Sequence, residues 1–186
     1  MSTDQLMVKQ GATLTGEATD DQFGISVSIN STGDTIVIGA WGANSYTGYA
    51  KVYKNISGTW TQQGATLTGE ASGDRFGCSV SISATGDTIV VGAYHANIYT
   101  GYAKVYKNIS GTWTQQGAKL TGEASGDYFG NSVSISASGD TIVVGAYHAN
   151  SYTGTAYIFD LQPEGVSKVP ENQSNSSQSS TQDRST

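Results

Sequence analysis

The sequence predicts an all-β fold made of three tandem four-stranded units. Three observations carry that expectation. A period of 53 residues runs through the chain, marked by Phe23-Gly24, Phe76-Gly77 and Phe129-Gly130, and again by Gly39-Ala40, Gly92-Ala93 and Gly145-Ala146. Self-similarity at that period is the mark of a repeat architecture. Within each period the apolar residues alternate or form short β-branched runs, and no stretch shows helical periodicity. The composition agrees: 24 glycines, 11 tyrosines and 13% charged residues suit short strands and tight turns, while 37% hydrophobic residues is lean for one thick core.

The middle unit shows the elements in order. The first strand spans residues 76–83, with Phe76, Cys78, Val80 and Ile82 on one face and small Gly and Ser on the other. That small face suits a crowded centre. Ser83-Ala-Thr-Gly-Asp87 then turns the chain, with Gly86 free to take positive φ. The second strand, residues 88–93, is continuously apolar, so it is expected to be covered on both faces. A longer loop, Tyr94-His-Ala-Asn-Ile-Tyr-Thr-Gly101, follows. The third strand covers residues 102–107, and Asn108-Ile-Ser-Gly111 closes a hairpin. The fourth strand covers residues 112–121 and is polar and Thr-rich, as an outer strand should be. The repeated acidic turn Gly-Glu-Ala-Ser-Gly-Asp, residues 122–127, leads onward; it and the Tyr and Lys of the third strand read as solvated surface.

The repeat is staggered. Residues 10–17 copy residues 63–70 and 116–123 apart from Lys119, so a spare outer-strand segment stands ahead of the first unit. Lys-Asn-Ile-Ser-Gly-Thr-Trp occurs at residues 54–60 and 107–113, but its third place, 160–166, reads Asp-Leu-Gln-Pro-Glu-Gly-Val. The third unit is therefore expected to lack an outer strand. The organisation is a lead-in at 1–9, the repeats at 10–162 (outer strand 10–17; units about 23–69, 76–122 and 129–161), and a tail at 163–186. The tail is Ser, Gln, Asn and Thr with almost no large apolar residue, which predicts disorder.

The motif set Phe-Gly-x-Ser-Val-Ser-Ile-Ser, a Gly-Asp turn and Ile-Val-Val-Gly-Ala, present in all three copies, resembles FG-GAP repeats, the blades of integrin-α-like β-propellers. The resemblance covers roughly residues 10–160 and implies a four-stranded blade with its first strand at the central axis. It also implies adhesion, protein-binding or lectin-like roles, in an extracellular, cell-surface or particle-associated setting. Two departures stand out. The Ca²⁺ loops of the family place several acidic residues before the second strand; here residues 30–34, 83–87 and 136–140 keep one carboxylate each, so Ca²⁺ is not expected and no cofactor is implied. The last residue of Gly-Ala-Pro is replaced by Trp41, Tyr94 and Tyr147. Propellers have four to eight blades, so three blades predict completion by a homo-oligomer, a dimer first. The alternative is a threefold monomer, a β-prism or β-trefoil.

Function classes narrow further. A net charge of −6 argues against nucleic acid and anionic membranes as partners. No apolar run reaches membrane-spanning length, and residues 1–7 lack a basic region followed by an apolar stretch, so no secretory signal is expected. Cys78 is the one cysteine and allows no intrachain disulfide. His95 and His148 share one loop position, with no nucleophile or carboxylate beside them in sequence, so no catalytic site or metal site is expected. Near-identical repeats set the same group around a ring instead of converging different groups on one atom. The expected function is a non-catalytic binding or scaffold module for a protein partner, with a glycan-binding lectin as the alternative. The candidate ligand-binding residues lie in the loop after the second strand: Trp41, Asn44 and Tyr46; Tyr94, His95, Asn97 and Tyr99; Tyr147, His148, Asn150 and Tyr152. Aromatic faces beside amides suit stacking and hydrogen bonding to sugars or peptides. The competing reading is that these rings pack between units while the asparagines close the turn.

Overall fold

Each 53-residue period folds into its own antiparallel sheet, and the three sheets stand side by side with their first strands innermost. The computed structural model describes residues 6–162; residues 1–5 and the 163–186 tail lie outside the described residues. Unit 1 holds β1 (Ser26–Ile29), β2 (Thr35–Ala40), β3 (Tyr49–Ile56), β4 (Thr59–Gln62) and β5 (Leu67–Thr68). Unit 2 holds β6 (Ser79–Ile82), β7 (Thr88–Ala93), β8 (Tyr102–Ile109), β9 (Thr112–Gln115) and β10 (Leu120–Thr121). Unit 3 holds β11 (Ser132–Ile135), β12 (Thr141–Ala146) and β13 (Thr155–Asp160), three strands among the described residues. Among the described residues no helix is long and apolar enough to cross a membrane.

Strand alternation assigns each residue to one of two faces. The leading face of unit 2 carries Phe76, Val80, Ile82, Ile89 and Val91, which pack on Val37, Ala50 and Val52 from the trailing face of unit 1. The same pattern joins units 2 and 3, where Val90, Ala103 and Val105 meet Phe129, Ile142 and Val144. The core therefore lies between units. A fully buried Val, Ile or Phe contributes about 1.5–3 kcal/mol, so these interfaces hold the array together. β7 is buried at every residue because sheets cover both its faces, as its apolar run requires.

The small residues of the first strand do what a crowded centre demands. Ser26 Oγ donates to Gly77 O at 2.8 Å, and Ser79 Oγ donates to Gly130 O at 2.8 Å. A Cβ on Gly39 or Gly92 would lie 1.9 or 2.0 Å from the carbonyl oxygen of Gly77 or Gly130, so only glycine fits.

Four expectations change. The fourth strand is split: β9 and β10 both pair with β8, but two extra residues stand between the registers Tyr106↔Gln115 and Ala103↔Leu120. Gly117, at φ +62°, makes that bulge. Residues 10–17 form no strand in the single chain, because β5 and β10 pair with the third strand of their own unit and no unit precedes residue 10 among the described residues. The loop after the second strand contains one tight turn per unit. Finally, the Tyr-Lys pair of the third strand is interior in units 1 and 2, where Tyr49, Tyr102, Lys51 and Lys104 are buried, whereas the acidic turn lies at the surface as expected except for its last residue, Asp21, Asp74 or Asp127, which is buried. Asp74 Oδ2 accepts from the Glu70 and Ala71 amides at 3.1 and 3.0 Å and from the Tyr102 hydroxyl at 3.0 Å. Lys104 pairs with Glu70 at 3.0 Å. Burying an Asp or Lys is costly unless it is paired in this way.

Among the described residues the sheets do not close on themselves. Val27 and Ile29, on the leading face of unit 1, are 66% and 57% exposed. That arrangement is a run of propeller-like blades and not the threefold monomer.

Candidate ligand-binding ridge

The turns after β2, β7 and β12 are α1 (Ala43–Tyr46), α2 (Ala96–Tyr99) and α3 (Ala149–Tyr152). Each holds three consecutive residues in the left-handed region; in α2 these are Asn97, Ile98 and Tyr99, with φ of 48°, 54° and 61°. Asparagine tolerates that conformation, which explains Asn44, Asn97 and Asn150 at the head of each turn. The turn is tied by the Thr100 hydroxyl, which donates to Asn97 O at 2.8 Å, and by Gly101 N, which donates to Ala96 O at 3.0 Å. The next unit then clamps it. Ile98 O accepts from Gly126 N at 3.2 Å and from the Ser125 hydroxyl at 2.8 Å, and Tyr99 O accepts from Tyr128 N at 2.8 Å. Ser45 O and Tyr46 O receive the matching bonds from Gly73, Ser72 and Arg75. The acidic turn, which lies at the surface as its sequence suggests, is thus also the clamp.

This geometry gathers the predicted aromatics into one ridge across the three units. Trp41 and Tyr46 lie 5.9 Å apart, and the Arg75 guanidinium sits over Trp41 at 4.3 Å and over Tyr94 at 5.5 Å. Arg75 also donates to the Tyr94 hydroxyl. Tyr128 stacks on Tyr94 at 5.7 Å and on Tyr99 at 4.8 Å, then touches Tyr147 at 5.3 Å and His148 at 4.2 Å. His95 lies 4.2 Å from Tyr99, and His148 lies 4.4 Å from Tyr152. Rings pack on one another between units, and Tyr46, Tyr147 and Tyr152 remain 49%, 50% and 77% exposed. Asn44 and Asn97 are exposed beside them, and Asn150 Nδ2 donates to the Thr155 hydroxyl at 2.9 Å.

Arg75 and Tyr128 are the members that the loop pattern does not reveal. They precede Phe76 and Phe129, where unit 1 has Gln22, and all three hold positive φ. The available sign was variability at a position flanked by repeated residues. Burial, reinforced by the nearby Arg75 charge, lowers the pKa of His95, so this ring is neutral in the stack near pH 7. The Cys78 thiol is pushed up to about 11, chiefly by burial, which keeps it protonated and inert.

The turns before the second strand do not fit Ca²⁺. Asp34 Oδ1 accepts from Asn30 Nδ2 and from the Thr35 hydroxyl, each at 2.8 Å; Asp140 Oδ1 accepts from Ser138 and Ser136 at 2.6 and 2.9 Å. These bonds hold both carboxylates below their ordinary pKa. Donors aimed at one carboxylate are the reverse of a cage of acceptor oxygens around a cation. Among the described residues no group of three or more His, Cys, Asp or Glu could hold a metal ion.

The sequence profile of the FG-GAP repeat matches residues 10–53, 60–106 and 113–159, one match per sheet. The chain belongs to the FG-GAP repeat family. Its Phe-Gly positions are the buried Phe76 and Phe129, each bridging to the glycine that ends the preceding unit's turn, and its Gly-Ala positions are the close-packed ends of β2, β7 and β12. No curated protein matches the chain. Among solved structures, hydrazine synthase of Kuenenia stuttgartiensis aligns at 12% identity with a TM-score of 0.40, over 81% of this chain and 49% of that one. The chain thus spans about half the length of that protein, and a likeness at this level carries no functional argument.

Proposed function

We propose that this propeller-like FG-GAP module is a non-catalytic binding module that docks a partner protein along the aromatic ridge. The supporting observation is the run of ring contacts from Trp41 to Tyr152, bridged by the Arg75 guanidinium, whose members Tyr46, Tyr147 and Tyr152 stay exposed. Large rigid rings offer contact area at little entropic cost, which is why Tyr, Trp and Arg dominate binding hot spots. Repetition adds to this, since weak equivalent sites gain from being presented together. A glycan ligand is the second reading, favoured by the exposed amide of Asn44 in the same turn as the exposed Tyr46. Neither reading needs acid–base or nucleophilic chemistry, and the ridge histidines face rings.

Parallel glycan and peptide arrays probed with the chain and with a Tyr147→Ala/Tyr152→Ala variant test this. Binding weaker by at least about tenfold in the variant, with unchanged circular dichroism, supports the ridge. The array that responds names the ligand class. Ligands bound equally by both proteins would place recognition elsewhere.

A further inference from the structure

Among the described residues, the two internal interfaces leave one spare face of each kind. On the trailing side, Ser79, Val90, Ala103 and Val105 of unit 2 are buried, with exposures of 8%, 0%, 0% and 4%. Their counterparts in unit 3, Ser132, Val143, Ala156 and Ile158, are exposed, Val143 to 37% and Ile158 to 72%. On the leading side, Val80 and Ile82 are 8% and 7% exposed, against 66% and 57% for Val27 and Ile29. A Cβ on Gly39 or Gly92 would strike the next unit's backbone, whereas one on Gly145 meets nothing closer than 3.6 Å except its own Ser132 hydroxyl. These surfaces copy a joint the chain already makes twice.

The geometry points to a second copy of this chain as the occupant, docked head to tail, with the leading face of its unit 1 on the trailing face of unit 3. The leading side is already shaped for the joint. Asp20 and Gln22 hold φ of 66° and 54°, the conformation that Gly73 and Arg75 use to clamp the preceding turn. Asp21 already accepts from the Glu17 and Ala18 amides at 2.9 and 3.0 Å. In the joint, Asp20 N and the Thr19 hydroxyl of the second copy take Ser151 O, as Gly73 and Ser72 take Ser45 O. Ser132 Oγ donates to Gly24 O of the second copy, as Ser26 does to Gly77 O. Leu14 and Thr15 of the second copy pair with Ala156 and Thr155, as Leu120 and Thr121 pair with Ala103 and Tyr102. This gives the unpaired 10–17 segment its strand. A heterologous joint that closes after two copies makes a ring of six units, within the range of four to eight blades that propellers use.

Two substitutions separate this joint from the fold. Val27→Glu charges a residue that is solvated in the single chain, and Gly145→Ala adds a methyl group whose close contact in the single chain, the Ser132 hydroxyl, can turn to another rotamer, whereas in the joint the methyl would also meet the second copy's backbone. Light scattering on the wild-type chain at about 50 μM is expected to give twice the 19.3 kDa chain mass, and each variant a single chain mass with native circular dichroism. Mixing the two variants is expected to restore a dimer, because one wild-type leading face and one wild-type trailing face remain. A monomeric wild type, an open-ended larger assembly, or a dimer that both variants keep would overturn the proposal.

Discussion

Asp74 shows how one side chain settles a local structure. Its Oδ2 gathers two backbone amides and the Tyr102 hydroxyl in a buried site, and Lys104 on the same strand as Tyr102 binds the neighbouring Glu70. Asp74→Ala leaves the buried Tyr102 hydroxyl and the part-buried Ala71 amide without that acceptor, while the Glu70 amide keeps the Tyr102 oxygen at 3.3 Å, so a loss of about 2–3 kcal/mol is expected, read as a lower urea midpoint. Asp127 supplies a control from within the same molecule. Unit 3 has Thr155 where the others have tyrosine, and Asp127 accepts from the Ala124 amide at 2.9 Å, so Asp127→Ala should lose about 1–2 kcal/mol. Equal losses would show that the tyrosine hydroxyl contributes nothing. The equivalent site in unit 1, at Asp21, has a pH signature. Burial alone would raise the Asp21 pKa, but the Ala18 and Glu17 amides, the Tyr49 hydroxyl and the Lys51 charge outweigh it and hold the group below its ordinary value. A carboxylate depressed in the folded chain adds stability above its unfolded pKa and loses it as acid titrates through the lower folded one. Sequence could not reveal the clasp, because Asp, Tyr and Lys read as surface residues and Tyr102 lies 28 positions from its partner.

Strands are where the sequence was most legible. The alternation Val80-Ser-Ile82 and the unbroken run at residues 88–93 named the leading, trailing and doubly covered positions, because burial between stacked sheets imposes a period of two. Turns were less legible. Ala96-Asn-Ile-Tyr99 has no glycine where the backbone turns left-handed, yet Asn150, Ser151 and Tyr152 adopt the same conformation with no unit after them among the described residues, so the turn is set by its own bonds, such as Gly101 N to Ala96 O, and the neighbouring unit's clamp only adds to it. Arg75 and Tyr128 were less legible still: their places in the ridge follow from an inter-unit contact that no local pattern encodes. The glycine closing each turn tests this account. A Cβ on Gly101, at φ +77°, would lie 1.9 Å from Phe129 O, so Gly101→Ala must deform the bridge as well as adopt a left-handed alanine. In Gly154, at φ +82°, the nearest atom would be 3.4 Å away. Gly154→Ala should therefore lose about 1–2 kcal/mol, the left-handed penalty alone. Gly101→Ala should lose about 3 kcal/mol or more, since a backbone clash is added. Thermal unfolding monitored by circular dichroism compares the two; equal losses would show that the Phe-Gly bridge is soft.

At the scale of the whole molecule, stability in such an array is a sum of unit terms and nearest-neighbour interface terms, so position in the chain matters as much as sequence. Units 2 and 3 are nearly identical in β7 and β12, Thr-Ile-Val-Val-Gly-Ala in both, yet β7 is buried throughout and β12 alternates between buried and solvated. The same six residues thus report their neighbours and little else. Amide hydrogen exchange measures the free energy of the opening that exposes each amide, which for an interior strand approaches the global value and for an end unit is lower. In a dilute single chain, β7 amides should exchange most slowly, and β2 and β12 amides faster, because unit 1 or unit 3 can open while breaking one interface and unit 2 must break two. A closed six-unit ring removes that difference, since every unit then has a neighbour on both faces. Raising the chain concentration through the association range should slow β12 exchange towards that of β7, with β2 following, while β7 changes least. Residue-resolved exchange at two concentrations follows this directly. If β12 stayed fast at every concentration, unit 3 would have no neighbour on its trailing side, and the ring would be open there in solution.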